Sequence, residues 1–211
     1  MTTGEFQERL AFRAQAAGVT LTDPLGERLE VYFRLLERWN EKINLTALPL
    51  STPTDESLDR LFIEPIAAAA HVPSSARSLI DIGSGGGSPA IPLALAAPHL
   101  HLRMVESRGR KSVFLKEAVR ALQIDAVVET ARFEELLSNA ANQGTNDLLS
   151  IRAVRVATDV LSLLQRFVRP EGQVFLFRSD EDSQMSLPSS LSLAATYRLT
   201  SKGQLIVLAK R

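Results

Sequence analysis

SLIDIGSGGGSPAIPLALAAP, residues 78–98, is the stretch whose reading decides the fold. Leu79-Ile80-Asp81-Ile82 is an apolar run too short for a buried helix, and it stops at glycine, which predicts a buried strand. Gly83, Gly85, Gly86 and Gly87 then crowd into five positions. Glycine is used where φ must be positive or where a backbone must lie against another group. Two glycines would serve a plain strand-to-helix turn; four predict that a ligand approaches the main chain. A helix follows from about Ser88, with Pro89 suited to its first turn. Its free N–H groups and positive dipole end face back toward the glycines.

The glycine count makes this a nucleotide-type loop without naming the nucleotide. The dinucleotide fingerprint G-x-G-x-x-G is met by Gly83 and Gly85, but its third position is Ser88. No Lys-Ser or Lys-Thr follows, which excludes a Walker-type phosphate loop. Asp81 completes D-x-G-x-G-x-G, which resembles the S-adenosylmethionine loop of class I methyltransferases. The resemblance is chemically sensible, because that sulfonium ligand carries an α-amino group and no phosphate, so a nearby carboxylate is favourable.

Upstream, residues 5–17 read as a helix with Phe6, Leu10, Ala14 and Ala17 on one face, ended by Gly18. Thr22-Asp23-Pro24 starts a second helix, with Asp23 as N-cap and Pro24 at the first helical position. Leu25, Leu29, Phe33, Leu36 and Ile43 recur at helical spacing along it. After a proline-rich loop at 47–54, residues 55–70 resume a helical pattern that Pro65 should kink or restart. Downstream, strands at 101–105, 126–129, 147–151 and 173–177 alternate with helices at 109–122, 133–141 and 158–168. Pro170-Glu171-Gly172 closes the last of these helices, and residues 179–190 are serine-rich and read as a loop. Strands at 194–199 and 205–209 close the chain around Ser201-Lys202-Gly203.

This alternation predicts an α/β fold with a doubly wound, mostly parallel sheet, a terminal antiparallel strand pair and an N-terminal helical extension. The expected division is residues 1–72 for the extension and 73–211 for the main domain. Ligands in such sheets bind at the carboxyl ends of the strands, near the switch point. That rule gathers Gly83, Glu106 and Arg152 onto one rim. Glu106 lies 23 positions after Gly83, where a carboxylate can take both ribose hydroxyls of a nucleoside. Main-chain groups of Phe133 and Glu134, just past the third strand, could read an adenine edge.

Of the 211 residues 45% are hydrophobic, ample for one core. No run approaches the roughly 18 apolar residues that span a membrane, and the first fifteen residues lack an apolar signal core, so a cytoplasmic protein is expected. There is no cysteine, which removes disulfides, thiolate metal sites and cysteine nucleophiles. His71, His99 and His101 have no metal-site spacing, and no metal is expected. Lys+Arg and Asp+Glu are 24 each, which argues against bulk, sequence-blind nucleic-acid binding but allows a local basic face. Arginine outnumbers lysine and suits bidentate phosphate contact.

Several segments together resemble one family. They are Trp39-Asn40-Glu41-Lys42-Ile43-Asn44-Leu45-Thr46, Ile80 through Leu93, Glu106-Ser107-Arg108-Gly109-Arg110-Lys111-Ser112-Val113-Phe114-Leu115, Arg132-Phe133-Glu134 and Arg152-Ala153. The chain is similar across nearly its whole length to the bacterial small-subunit (16S) ribosomal RNA guanine-N7 methyltransferases, the methyltransferase G or glucose-inhibited division protein B group. The W-N-x-x-x-N-L-T octet is the most specific part. The resemblance implies a class I methyltransferase fold behind a small helical extension, S-adenosyl-L-methionine as cofactor, and 16S rRNA or the 30S particle as partner of a monomeric enzyme. It places Asp81, Gly83, Gly85, Gly87, Ser88, Glu106, Phe133, Glu134 and Arg152 around the cofactor, Arg152 also at the chemistry, and Arg108, Arg110 and Lys111 against RNA.

The chain departs from the family at three places. Leu61 stands where a histidine is usual, Val154 where an aromatic is usual after Arg152-Ala153, and Arg178-Ser179 where the fifth strand usually ends Lys-Gly. Three rival readings share the loop. They are a small-molecule methyltransferase, a nicotinamide-dependent dehydrogenase and a cofactor-binding module without turnover. Against the dehydrogenase stand the missing third glycine and the lack of a Ser-Tyr-Lys or His catalytic set, since Tyr32 and Tyr197 are the only tyrosines.

Overall fold

A computed structural model of the chain describes residues 1–152, 157–179 and 186–211. Among them, β1 (Ser78–Ile82), β2 (His101–Val105), β3 (Ala126–Glu129), β4 (Asn146–Arg152), β5 (Val168–Ser179), β6 (Leu191–Arg198) and β7 (Gly203–Lys210) form one sheet. Its order is β3-β2-β1-β4-β5-β7-β6. The first five of these pair in parallel, whereas β7 runs antiparallel to both β5 and β6. The order reverses between β1 and β4, so the carboxyl ends of those two strands flank the crevice where such sheets bind ligands.

β1 is buried along almost its whole length, as its apolar run requires of a central parallel strand. The glycine turn follows, and α5 (Ala90–Ala96) begins one residue after Pro89 rather than at Ser88. The helical layer before β1 comprises α1 (Thr3–Ala16), α2 (Asp23–Asn40), α3 (Asp55–Leu58), a π-helical turn (Asp59–Ile63) and α4 (Glu64–Ala69). The cap of α2 is Thr22, one residue earlier than expected, with Asp23 inside the first turn. Phe6 stacks on Phe33 at 4.8 Å, and Phe62 meets both rings edge-on. These residues join Leu79, Leu93, Phe114 and Phe175 in one continuous core, so the layer and the sheet bury the same apolar surface.

The kink predicted at Pro65 takes the form of the π-helical turn. A proline nitrogen cannot serve the carbonyl four residues back, that of Leu61, or the one five back, that of Arg60. The Ser88 hydroxyl donates to both, at 3.0 and 3.2 Å. A vacancy made by one proline therefore ties the helical layer to the start of α5.

The last crossover differs from expectation. α6 (Gly109–Leu122) lies as predicted, α7 (Phe133–Ser138) is shorter, and α8 (Thr158–Leu164) ends early. Pro170-Glu171-Gly172 falls inside β5 rather than after a helix. Glu171 takes φ +64°, and the β4–β5 register shifts between Asn146 and Leu148. A methyl at Gly172 would lie 2.8 Å from the Asp147 carbonyl, so the chain passes too close to β4 for a side chain. Of the serine-rich stretch, residues 180–185 lie outside the described residues.

Gly87 has φ +91°, and a methyl there would lie 2.6 Å from Ile91 Cδ1 and 3.2 Å from the Tyr32 hydroxyl. Gly87→Ala should lower stability by about 2–3 kcal/mol through strain and overpacking. A fall in the urea midpoint at unchanged m-value would show it.

Candidate active site

Four glycines were expected to mark a ligand lying on the main chain. The structure divides them into two pairs with different neighbours. Gly83, at φ +72°, has nothing within 4 Å of where a side chain would start. Gly85, at φ +53°, meets only the Gly83 carbonyl at 3.6 Å and Lys111 Nζ at 4.0 Å. Both border open space. Gly86 and Gly87 instead face the helical layer. A methyl at Gly86 would lie 3.2 Å from Leu36 Cδ1 and 3.3 Å from the Leu45 carbonyl, and the Tyr32 hydroxyl donates to the Gly86 carbonyl at 2.5 Å. Gly87, expected beside the cofactor, packs against Ile91 and Tyr32.

Two hollows of about 370 and 350 Å³ meet over this turn. Both are lined by Ile82, Gly83 and Arg152. The first lobe adds Asp81, Gly85, Ser88 and Lys111, together with Arg60, Leu61 and the segment Leu45–Leu48. The second adds Val105, Ser107, Arg132, Phe133 and Glu134. Of the residues singled out in the sequence, Asp81, Gly83, Gly85, Ser88, Lys111, Phe133, Glu134 and Arg152 are thus brought to one double cavity. Gly87, Glu106, Arg108 and Arg110 line neither lobe.

Glu106 sits beneath the turn, 6% exposed. One carboxylate oxygen accepts from the Gly85 N–H at 2.9 Å and the other from the Arg108 N–H at 2.7 Å. Each oxygen keeps a further lone pair. Glu106 therefore links the glycine turn to the start of α6, where Arg108 and Arg110 stand exposed at the rim.

The octet ending α2 acquires a physical reason. Asn40 Oδ1 accepts from the N–H groups of Leu45 and Thr46 at 2.9 and 3.0 Å. Trp39 Nε1 donates to Glu117 on α6 at 3.1 Å, and its ring meets Phe114 edge-on. These bonds fold the chain back so that Leu45–Leu48 becomes a wall of the first lobe.

Two charges in the first lobe are perturbed. Asp81 is 1% exposed, and burial pushes its carboxyl up to about 6, partly opposed by the Ser150 hydroxyl that donates to Oδ1 at 2.5 Å. Burial also lowers the Arg152 guanidinium, opposed by Glu64, whose carboxylate pairs with Nη1. The guanidinium carbon lies 5.0 Å over the Phe177 ring. Among the described residues, Arg152 Nε and Nη2 are shut from solvent without a hydrogen-bond partner. Orphaned buried donors, a buried carboxylate and an open positive-φ turn fit a polar ligand with an amino-acid end and a nucleoside end. They fit a dinucleotide poorly, because the first lobe offers a buried carboxylate beside the turn where a pyrophosphate would lie.

Tyr32, Glu64, Ser150 and Phe177 were not expected here. Tyr32 could have been found, since it lies on the apolar face of α2 between Leu29 and Leu36. Ser150 and Glu64 carried no signal of their own. Leu61 lines the first lobe, whereas the departure at Val154 lies outside the described residues. Among the described residues, no helix is long and apolar enough to cross a membrane, and no group of three His, Cys, Asp or Glu could hold a metal ion.

Residues 26–201 match the family model described as rRNA small subunit methyltransferase G. The chain is 31% identical over 220 residues to the ribosomal RNA small subunit methyltransferase G of Myxococcus xanthus, covering 100% of both chains. It is 34% identical to that of Brevibacillus brevis, covering 82% of this chain and 69% of the relative. Among solved structures it resembles a SAM dependent methyltransferase from Aquifex aeolicus (TM-score 0.56, 11% identity, 74% of this chain and 93% of that one). It also resembles a mutant of MtNAS in complex with S-adenosylmethionine (TM-score 0.56, 15% identity, 87% and 74%). At these identities the structural likeness establishes the fold, that of class I methyltransferases.

Because Asp81 holds its proton more tightly when folded, its ionisation costs stability as pH rises from about 4 to about 6, and the cost persists above that. Asp81→Asn should therefore be more stable than the parent at pH 8, by up to about 3 kcal/mol, with the gap closing below about pH 4. Urea midpoints measured across that range check the sign.

Proposed function

Because this chain belongs to the rRNA small subunit methyltransferase G family, we propose that it transfers a methyl group from S-adenosyl-L-methionine to N7 of a guanine in 16S ribosomal RNA. The observation that carries the reading is the double cavity over the glycine turn, with Asp81 and Arg152 in one lobe and Phe133 and Glu134 in the other. The nucleoside end fits the second lobe, with main-chain groups of Phe133 and Glu134 at the base. Glu106, one residue before Ser107 of that lobe, uses its spare lone pairs for the ribose. The amino-acid end crosses Gly83 into the first lobe.

When bound, the cofactor supplies an electrophilic sulfonium methyl. Guanine N7 presents its lone pair without losing a proton, so the site needs no general base. The contribution of the chain is placement. Gly83 and Gly85 leave the surface bare, Leu45–Leu48 and Leu61 exclude water from one side, and Arg152 sits where the lobes join. Lys111 in the lobe, with Arg108 and Arg110 at the rim, meets RNA phosphates. The acceptor must be unpaired or splayed out, because side chains cannot read the deep groove of an A-form duplex. We place the enzyme in the cytoplasm as a monomer acting on rRNA or the 30S particle.

The test uses 16S rRNA and 30S particles from a strain lacking its own enzyme, incubated with the purified chain and labelled S-adenosylmethionine. Label should appear in 7-methylguanosine after nucleoside digestion. Label in another nucleoside would overturn the base assignment, and none in either substrate would overturn the acceptor. Gly83→Asp should abolish calorimetric binding of S-adenosylmethionine while the protein still melts cooperatively; normal affinity would remove the turn from the site.

A further inference from the structure

Arg108, Arg110 and Lys111 give the crevice one basic rim, at the start of α6. α6 follows β2, so this rim lies on one side of β1 and β4, and β5, β7 and β6 lie on the other. β7 opens at Gly203, opposite Ser179 at the carboxyl end of β5. The β6–β7 turn therefore stands at the crevice end of the sheet. From β2 to β7 is four strand spacings, roughly 19 Å.

Two cations mark that far side. Arg60, in the π-helical turn, lines the first lobe with its side chain 39% exposed. Lys202, in the β6–β7 turn, is 75% exposed. Both face one carboxylate, that of Glu56. Arg60 Nη1 lies 3.8 Å from one of its oxygens and Lys202 Nζ 3.5 Å from the other. Those separations are well beyond the roughly 2.7–2.9 Å of a charge-assisted hydrogen bond. The neighbouring acids are already taken. Asp55 pairs with Arg9 at 2.7 Å, and Asp59 pairs with Arg13 through both oxygens. Among the described residues, Arg9, Arg13, Arg60 and Lys202 thus face Asp55, Glu56 and Asp59, and the surplus positive charge falls on Arg60 and Lys202. The Arg152 guanidinium is lowered first by burial, against the pull of Glu64, and further by the Arg60 charge. Arg60 therefore acts inside the crevice as well as at its lip.

Both cations ride on fixed backbone. The Ser88 hydroxyl holds the Arg60 carbonyl at 3.2 Å. The Leu199 and Thr200 N–H groups donate to the Gly203 carbonyl at 2.9 and 3.2 Å, and the Gly203 N–H donates to Thr200 Oγ1 at 3.0 Å. A methyl at Gly203 would collide with the Glu64 carboxylate, so the turn rests directly on α4. We propose that Arg60 and Lys202 form a second RNA-binding rim, so that the rRNA strand crosses the crevice and is held through its phosphates on both sides of the acceptor nucleotide. This rests on rRNA being the acceptor. Phosphate is the partner the position fits, because guanine gains positive charge as N7 is methylated and a cation against the ring would oppose that gain. Phosphate contacts fix register without reading sequence, which leaves the base free to enter the lobe. Glu56 competes with phosphate for both cations.

The test is retention of naked 16S rRNA, from a strain lacking its own enzyme, on filters across a range of KCl concentrations. For the parent, log K should fall linearly with log salt. Arg60→Met and Lys202→Met should each make the slope shallower by about 0.7 and weaken binding about three- to fivefold. Glu56→Gln should tighten binding by a similar factor, and that gain should vanish when Arg60→Met and Lys202→Met are added. Arg211→Met, at the opposite end of β7, should match the parent, which separates a local contact from a change in net charge. Lys202→Met should bind S-adenosylmethionine as the parent does by calorimetry, since Lys202 lines neither lobe. If Arg60→Met fails to melt cooperatively, Lys202→Met decides. Lys202→Met with the parent's slope and affinity would overturn the second rim; the proposed acceptor would still stand if Arg110→Met weakened binding. A parent that fails to bind 16S rRNA would overturn the acceptor and the second rim together.

Discussion

The structure hinges on the contact between α2 and the glycine turn. The Tyr32 hydroxyl is fully enclosed and satisfies the Gly86 carbonyl, and Leu36 and Leu45 press on the same residue. A tight turn with three positive-φ glycines is conformationally expensive to order, because glycine loses more freedom on folding than other residues. Packing on one side of that turn is what lets the other side stay bare. Without α2, Gly86 would have no reason to be glycine, and Gly83 and Gly85 would have no rigid support. The helical layer is therefore a component of the ligand site as well as of the core.

The same layer reaches the site by two further routes, and both use a local defect. Pro65 deprives the Arg60 and Leu61 carbonyls of a helical partner, and the Ser88 hydroxyl replaces it. Asn40 stops α2 and supplies the acceptor that turns the chain toward Leu45–Leu48. Each defect would weaken an isolated helix. Here each is compensated by a bond that fixes a cavity wall, which is how marginal local structure becomes geometric precision at a site.

Much of the sheet was legible, because burial in a central parallel strand forces an uninterrupted apolar run and the crossovers force alternation with helices. Ile80 and Leu149, each packed on both sides, announce themselves in that way. The glycine turn was legible as a ligand loop, but the division of labour among its glycines was not. Gly86 answers to Leu36 and Leu45, more than forty residues upstream, and Gly87 to Tyr32 as well as to Ile91 four residues on, and no local pattern encodes the distant contacts. For the same reason Glu64 and Ser150 were silent. Their significance lies in pairing with Arg152 and Asp81 on other elements, and a single carboxylate or hydroxyl on a helix or strand looks like any other. Pro170-Glu171-Gly172 misled because helix stop and strand bulge use the same residues; only the proximity of Asp147 decides between them.

The departure at Leu61 bears on which part of the chemistry is fixed. Leu61 is 6% exposed and shares the wall of the first lobe with Leu36, Leu45 and Leu48. A histidine at that position would matter as a base only if the acceptor had to lose a proton, and guanine N7 does not. Replacing imidazole by an aliphatic side chain lowers the polarity of that wall and excludes water more completely. A less polar wall strengthens the field of Asp81 and Arg152 on whatever lies between them. The leucine is therefore compatible with methyl transfer to a lone pair.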